Sequence, residues 1–250
     1  MTDSGSKLLI GTAGWTVPRE AVADFPVEGT HLQRYAAVLP AAEINSSFHR
    51  PHRASTWRRW RQSVPDHFRF SVKLPKTITH VAKLADAIDL LEEFLGPIQE
   101  LGETLGCLLV QLPPSLGYDP HVAPTFLEEL RLRFAGGIAC EPRHPTWLEP
   151  EANRLLTNLG IARVAADPDK PVGASEPGGA TDLIYYRLHG SPRIYFSSYE
   201  SEYLAQLAEK LKSAGPGASA IWCIFDNTTL GAATPNALEL MSLMRGHGQV

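Results

Sequence analysis

Cysteine is scarce in this chain of 250 residues, which has three, at positions 107, 140 and 223. They are odd in number, widely spaced and set in apolar segments that resemble strands. This usage is typical of a reducing compartment and of buried thiols rather than disulfides or metal ligands. A chain of this length also buries a large core, so it needs no disulfides for stability. A disulfide scaffold is therefore excluded.

Long apolar runs are absent as well. A membrane helix needs about 18 apolar residues in succession, and the segment LGCLLVQLPP is about half that length and contains Gln111. The first residues, MTDSGSKLLIG, lack a basic flank followed by a long apolar stretch, so no signal peptide is expected. These features predict a cytoplasmic protein without a membrane partner. With 44% hydrophobic residues and a net charge of -4, disorder is excluded too.

Short apolar runs recur along the chain, with helical patterns between most of them. They lie at 8–13, 41–46, 68–73, 107–112, 138–143, 161–166, 183–188 and 220–225. Eight such runs predict parallel βαβ units that close on themselves. We therefore expect one α/β domain over 1–250, an eight-stranded parallel (β/α) barrel of the TIM type. The segment 167–182 (DPDKPVGASEPGGATD) is too rich in Pro and Gly for a helix, which predicts an irregular crossover between strands six and seven.

Several helix ends carry recognisable signals. A capping-box pattern begins at Thr30, and the Thr234 hydroxyl precedes Pro235 at the expected first position of the last helix. Gly160 and Gly215 each follow a helical pattern, where a left-handed cap is expected.

The C-terminal strand ends of a parallel barrel converge on one face, and here they are rich in charge. The candidate catalytic residues at this face are Glu43, Lys73, Glu141 and His189. The candidate ligand-binding residues are Trp15, Asn45, Gln111, Arg143, His144, Trp147, Arg187, Asp226 and Asn227. Burying such groups costs several kcal/mol unless they are paired or bind something, so the set predicts a ligand site.

The expected charge of this face favours a small anionic ligand. Lys73, Arg143 and Arg187 bring three positive charges, and Glu43 and Glu141 offset two of them. Arginine forks suit the oxygens of phosphate or sulfate. The alternative is internal pairing, of Glu43 with Lys73 and of Glu141 with Arg187. The sequence assigns no metal ligands and identifies no cofactor, since neither H-x-H nor H-E-x-x-H spacing occurs. A divalent metal stays an alternative, held by some of Glu43, Glu141, His144, Asp167, His189 and Asp226.

The segment 49–76 is strongly basic, with eight Arg and Lys against the single acid Asp66, a net charge of +7 in a chain of -4. Such a segment can attract nucleic acid. Trp57 and Trp60 lie three residues apart within it, a helical spacing that favours core-facing anchors with the arginines in solvent. Three functions remain open: an enzyme acting on a phosphate-bearing or polyhydroxylated ligand, a nucleic-acid-binding or processing protein using 50–76, and a non-catalytic binding module.

Seven ordered motifs resemble those of the YecE-like family (domain of unknown function 72). They are IGTAGW, EINSSFHRP, WRRWRQSVPDHFRFSVKLPKTITH, LGCLLVQLPPS, EPRHPTW, YYRLHG and FDNT…GAATPNA, and they extend from about 8 to 244. The resemblance implies a TIM-barrel-like fold and no established reaction. It also implies that Phe48, Thr79 and His80 belong with the strand-end residues. Val17, His49 and Thr228 depart from the family pattern.

Overall fold

Parallel strands alternate with helices through most of the chain. The computed structural model describes residues 6–214 and 217–246. Its strands are β1 (Lys7–Ala13), β2 (Ala41–Ile44), β3 (Arg69–Lys73), β4 (Leu105–Gln111), β5 (Gly137–Glu141), β6 (Ala162–Arg163), β7 (Ala165–Asp167), β8 (Gly178–Gly179), β9 (Leu183–Leu188) and β10 (Ala220–Phe225).

The α-helices lie between and after these strands. They are α1 (His31–Ala36), α2 (Ser46–His49), α3 (Ala54–Gln62), α4 (Ile88–Ile98), α5 (Val122–Arg133), α6 (Pro150–Asn158), α7 (Ser201–Ala214) and α8 (Ala233–Arg245). Short 3-10 segments cover Arg19–Asp24, Gln99–Thr104 and Pro145–Leu148, and a π-helical turn covers Thr77–Val81. Among the described residues, no helix combines the length and the apolar character needed to cross a bilayer.

The sheet curls into a nearly closed barrel. Its strand order is β7-β9-β10-β1-β2-β3-β4-β5-β6-β8, and neighbours are parallel except for the antiparallel pair β6–β8. β7 is one end of this order, and β6 lies next to β8 at the other end; in the sequence, β6 and β7 flank Val164 in one short stretch of chain. β6 pairs with β5 and β7 pairs with β9, so this stretch joins both edges of the sheet. The result is an α/β barrel-like fold.

The predicted number of eight strands is wrong, since ten are formed in the described residues. The run expected as strand six divides because it changes partner at Val164, whose N–H still donates to Cys140 O at 2.8 Å. The other additional strand is β8, which pairs with β6. A Cβ at Gly179 would lie 2.4 Å from Ile161 O, so this close approach requires glycine. The crossover 168–182 contains turns and β8 but no helix, as predicted.

Alternation along the strands sorts the side chains into two sets. One face packs against the helices in the main core, and the other fills the barrel interior. The apolar interior includes Leu9, Ala41, Cys107, Leu109, Ala139, Tyr185, Trp222 and Ile224. Continuing the same alternation to the C-terminal strand ends, the inward positions are Glu43, Lys73, Gln111, Glu141 and Arg187, with Asp226 just after β10. A polar layer therefore lies directly above an apolar one.

The helix-end predictions have mixed outcomes. The capping box at Thr30 is formed, and Gly160 follows α6 with a φ of +62°, as expected. The cap predicted at Thr234 is wrong, because α8 begins at Ala233, two residues before the predicted first position Pro235. The Thr234 hydroxyl instead donates to Thr16 O at 2.8 Å, which ties α8 to the loop after β1. Gly215 lies outside the described residues.

Candidate functional site

The centre of the polar layer is Arg187 of β9, surrounded by three carboxylates from three other strand ends. Its Nη2 lies 2.7 Å from Glu43 Oε1 and 3.0 Å from Asp226 Oδ2, and its Nη1 lies 3.0 Å from Glu141 Oε2. Nε donates to Glu43 as well, at 3.0 Å to Oε2. The Arg187 side chain is 1% exposed, so this guanidinium is used internally. It is not available as the ligand-binding fork that the sequence predicts.

The pKa values of Glu141, Asp226 and Arg187 are shifted toward the charged forms by the other members of this cluster. Burial alone would raise the pKa of Glu141, but Arg143, Arg187 and His189 outweigh it and hold that pKa well below its usual value. Burial would likewise raise the pKa of Asp226, and Arg187 and His189 lower it. The carboxylates in turn overcome the burial of Arg187 and raise its pKa. Removing one member would therefore leave buried charges without compensation.

His189 lies between two of these carboxylates. Its Nδ1 is 3.0 Å from Asp226 Oδ2, and its Nε2 is 2.8 Å from Glu141 Oε1 and 2.9 Å from Arg143 Nη2. A neutral ring with the proton on Nδ1 donates to Asp226 and accepts from Arg143, whereas a protonated ring donates to both carboxylates. In either form Nε2 meets one unfavourable neighbour, because Arg143 Nη2 and Glu141 Oε1 both lie within hydrogen-bond distance of it.

Lys73 is a cation near this network that forms no ion pair with its carboxylates. It ends β3, is 9% exposed, and its Nζ lies 4.1 Å from the centroid of the Phe48 ring. In the described part of the chain, its ammonium makes neither a hydrogen bond nor an ion pair; Glu43, the expected partner, binds Arg187 instead. Burial, reinforced by the charge of Arg187, lowers the pKa of Lys73 to about 8, although Glu43, Glu141 and Asp226 oppose the shift.

Other hydrogen-bond donors near Lys73 also lack partners among the described residues. Arg143 uses Nε and Nη2 on Glu141, at 2.8 and 2.6 Å, which leaves Nη1 without a bond to any described residue. The Gln111 amide at the end of β4 is 9% exposed and has no side-chain partner in residues 6–214 or 217–246. His80 shares this space, since burial and then the charges of Lys73, Lys76 and Arg143 lower its pKa.

The formal charge of the cluster differs from the expectation. Asp226 joins Glu43 and Glu141, so three carboxylates balance Lys73, Arg143 and Arg187 before His189 is counted. The equal numbers of positive and negative charges do not form one-to-one pairs, because all three carboxylates bind Arg187. The cations left with unused N–H groups are Lys73 and Arg143. No set of His, Cys, Asp and Glu among the described residues is arranged to hold a metal ion.

Some predicted site residues have other partners. Trp147 is 1% exposed, and its Nε1 donates to Leu116 O at 3.1 Å. Trp15 packs edge-on against Trp60, with ring centroids 5.2 Å apart. Trp15 and Trp147 are therefore packing residues. Trp57 of the basic segment 49–76, which is buried, is one as well.

The polar residues His144, Asn45 and Asn227 also have local partners. His144 caps the 3-10 segment at Pro145–Leu148 through Thr146. Asn45 Nδ2 lies 3.4 Å from Asp226 Oδ1, so Asn45 borders the carboxylate cluster. Asn227 Nδ2 bonds Ser197 O and Asn236 Oδ1, each at 2.9 Å, so this amide fastens α8 to the loop after β9.

Sequence reasoning missed Tyr185 as part of the site. Its hydroxyl lies 2.8 Å from Glu43 Oε2 and 2.9 Å from Ser71 Oγ, and it supports the cluster from the layer below. The signal was present, since Tyr185 precedes Arg187 by two residues and therefore shares its face of the strand. Phe48 and His80, which only the family resemblance indicated, lie beside Lys73, with their rings 4.9 Å apart.

A nearly closed α/β barrel with buried charges at the carboxyl ends of its strands defines a TIM-barrel-like protein. Within that class, the chain belongs to the family described as Protein of unknown function DUF72, whose profile matches residues 9–250.

Two curated relatives and two solved structures are similar to it. The UPF0759 protein YecE of Escherichia coli (strain K12) is 33% identical over 178 residues, covering 68% of this chain and 62% of the relative. YecE from strain O157:H7 is 32% identical over the same shares. The chain thus spans 62% of the length of these curated relatives. A DUF72 structure from Enterococcus faecalis has a TM-score of 0.81 and 22% identity, covering 95% of both chains. One from Thermotoga maritima has a TM-score of 0.78 and 25% identity, covering 95% of this chain and 99% of that one.

Proposed function

We propose that this chain is an enzyme that acts on a phosphate-bearing or polyhydroxylated ligand at the C-terminal face of the barrel. The observation that carries the proposal is Lys73, a residue nine-tenths buried beside the charged cluster, whose ammonium makes no hydrogen bond or ion pair to any described residue. An internal pairing scheme would have used Lys73 to neutralise Glu43, yet Arg187 does so. A buried cation without a counter-ion is costly unless a ligand supplies one.

The proposed role of each residue follows from whether its side chain already has hydrogen-bond or ion-pair partners. Lys73 and the free Nη1 of Arg143 attract the anionic part of the ligand, and Gln111 hydrogen-bonds a hydroxyl or carbonyl oxygen. Glu141 and His189 form the acid–base pair, with Asp226 fixing the ring through Nδ1. Glu43 and Arg187 are positioning residues, because each is buried within the cluster.

Thermal-shift measurements with inorganic phosphate, an aldose phosphate and divalent metal salts test this proposal. We expect phosphate and the aldose phosphate to raise the melting temperature of the wild type and to have no effect on Lys73→Met. Lys76→Met is the matched control, since it removes the same charge from an exposed position three residues away. Stabilisation that persists in Lys73→Met, or stabilisation by divalent metals alone that Glu141→Gln abolishes, would contradict the proposal.

A second candidate, nucleic-acid binding, draws support from the exposed cations of the basic segment. The side chains of Arg50, Arg53 and Lys76 are exposed on segments that follow the carboxyl ends of β2 and β3, on the same side of the barrel as Lys73. Phosphate contacts make affinity fall steeply with salt. A measured salt slope that flattens in Arg53→Ala with Lys76→Ala supports this candidate; undetectable binding of single- and double-stranded oligonucleotides at low salt refutes it.

A further inference from the structure

We propose that Lys73 is a nucleophile that forms a Schiff base with an aldehyde or ketone, so that the ligand class of this site is a phosphorylated or polyhydroxylated carbonyl compound. This inference rests on the proposed function, since it assigns the reacting atom and the substrate class of the same site. It is carried by the burial of the Lys73 side chain, by the absence of a hydrogen bond or ion pair from its amine to any described residue, and by the position of the neighbouring charges.

An amine attacks a carbonyl only if it is not held by a carboxylate. The three carboxylates of the site all bind Arg187, and the Lys73 ammonium has no hydrogen-bond or ion-pair partner in the described residues. The ammonium lies over the face of the Phe48 ring, 4.1 Å from its centroid. Burial and a nearby guanidinium both favour the neutral amine over the ammonium, which is how lysines are activated as nucleophiles.

The proportion of reactive amine follows from the lowered pKa. With a pKa of about 8, roughly a tenth of Lys73 is the free amine at pH 7, against roughly one part in 3,000 for a lysine at 10.5. At neutral pH, Lys73 is therefore on the order of 300 times richer in free amine than an exposed lysine. Lysines in the same chain whose side chains are exposed, such as Lys76, provide the comparison.

The proposed step is balanced by groups at this face. Neutral Lys73 Nζ adds to the carbonyl carbon, the C=O electron pair moves to oxygen, and a proton passes from nitrogen to oxygen to give a carbinolamine. Loss of the hydroxyl with one proton releases water and leaves a protonated imine on Lys73. The Glu141–His189–Asp226 chain supplies and receives the proton, because the two ring nitrogens of His189 lie 2.8 Å from Glu141 Oε1 and 3.0 Å from Asp226 Oδ2.

Reductive trapping tests the inference. Wild-type protein is incubated with pyridoxal 5′-phosphate, a phosphate-bearing aldehyde, and cyanoborohydride reduces the imine to a stable secondary amine that peptide mapping locates. We expect labelling of Lys73 at least tenfold faster than of Lys76 at pH 7, with a rate that rises with pH and levels off above about 8. Pyridoxal, which lacks the phosphate, should label Lys73 more slowly.

The comparison of two lysines within the wild type needs no variant, so it holds even if a substitution at Lys73 impairs folding. Lys73→Arg should abolish the selective adduct while preserving the positive charge. Labelling spread over the exposed lysines, or an unchanged total in Lys73→Arg, overturns the inference. A phosphate thermal shift without trapping refutes the Schiff base and leaves the proposed ligand site standing, whereas the loss of both refutes both.

Discussion

Replacing Arg187 with Met should test the charged cluster most directly. The substitution keeps much of the side-chain volume but removes the guanidinium from Glu43, Glu141 and Asp226, whose side chains are 0%, 0% and 10% exposed. Removing one partner of a buried ion pair costs about 3–5 kcal/mol, because the other charge is left without compensation. For a chain of this size, that lowers the melting temperature by about 10 °C.

The loss of stability in Arg187→Met should depend on pH, and the pKa shifts of the carboxylates predict whether it grows or shrinks as the pH falls. In the wild type, the folded-state pKa values of Glu141 and Asp226 are lowered, so their contribution to stability is present above their unfolded values and is lost as pH falls through the folded ones. Without Arg187, fewer cations oppose the effect of burial, chiefly Arg143 and His189 at Glu141 and His189 at Asp226, so both pKa values rise. The variant then gains stability relative to the wild type as the pH falls from 7.5 to 5, because proton uptake neutralises the orphaned carboxylates.

Urea unfolding at pH 7.5 and pH 5 measures this difference in the free energy of unfolding. The matched control is Arg58→Met, which removes an arginine from a two-bond pair with Glu100 at the surface. That pair is solvated, so its loss should be much smaller and insensitive to pH in this range. An Arg187→Met protein as stable as the control, or a loss that is equal at the two pH values, would show that the three carboxylates do not depend on Arg187.

Three further predictions concern the rest of the fold. Tyr35→Phe should cost about 1–2 kcal/mol in urea unfolding, because the buried N–H of Thr12 loses the hydroxyl acceptor at 2.8 Å; no loss would refute this. Gly11→Ala should abolish soluble protein, since its Cβ would lie 2.0 Å from Ala41 O, whereas Gly96→Ala, with no atom within 4 Å, should be tolerated. The cysteine thiols should react with Ellman's reagent at pH 8 only after unfolding, because all three are buried and burial raises the pKa of each; rapid labelling of the native protein would contradict this.

The strand pattern predicts much of this architecture because alternation is a local property of the chain. It places Arg187 and His189 on one side of β9, and Glu141 and Arg143 on one side at the end of β5, and the structure joins all four in one network. It does not give the pairing across the barrel. Glu43, which neutralises Arg187, lies 144 positions away from it in sequence. No local pattern therefore shows whether Glu43 pairs with Arg187 or with Lys73.

The differences from the sequence-based predictions have similar causes. The split of strand six depends on which edge strand each half meets, and this is decided by closure of the barrel rather than by the run IARVAA itself. The role of Trp147 depends on a carbonyl at Leu116, 31 positions away, that accepts its indole N–H. A tryptophan near a strand end is compatible with stacking on a ligand or with packing, and only the tertiary structure separates the two.

The change of partner at Val164 has a consequence for how the barrel opens. β6 is two residues long and β7 three, whereas β1 is seven. Local opening needs less free energy where fewer ladder bonds must break, so this seam separates before the longer strand pairs do. The seam also holds part of the site, because the Asp167 carbonyl accepts the His189 N–H at 2.8 Å. Local opening of the barrel should therefore loosen the contacts of His189 first, while Lys73, between longer strands, stays fixed.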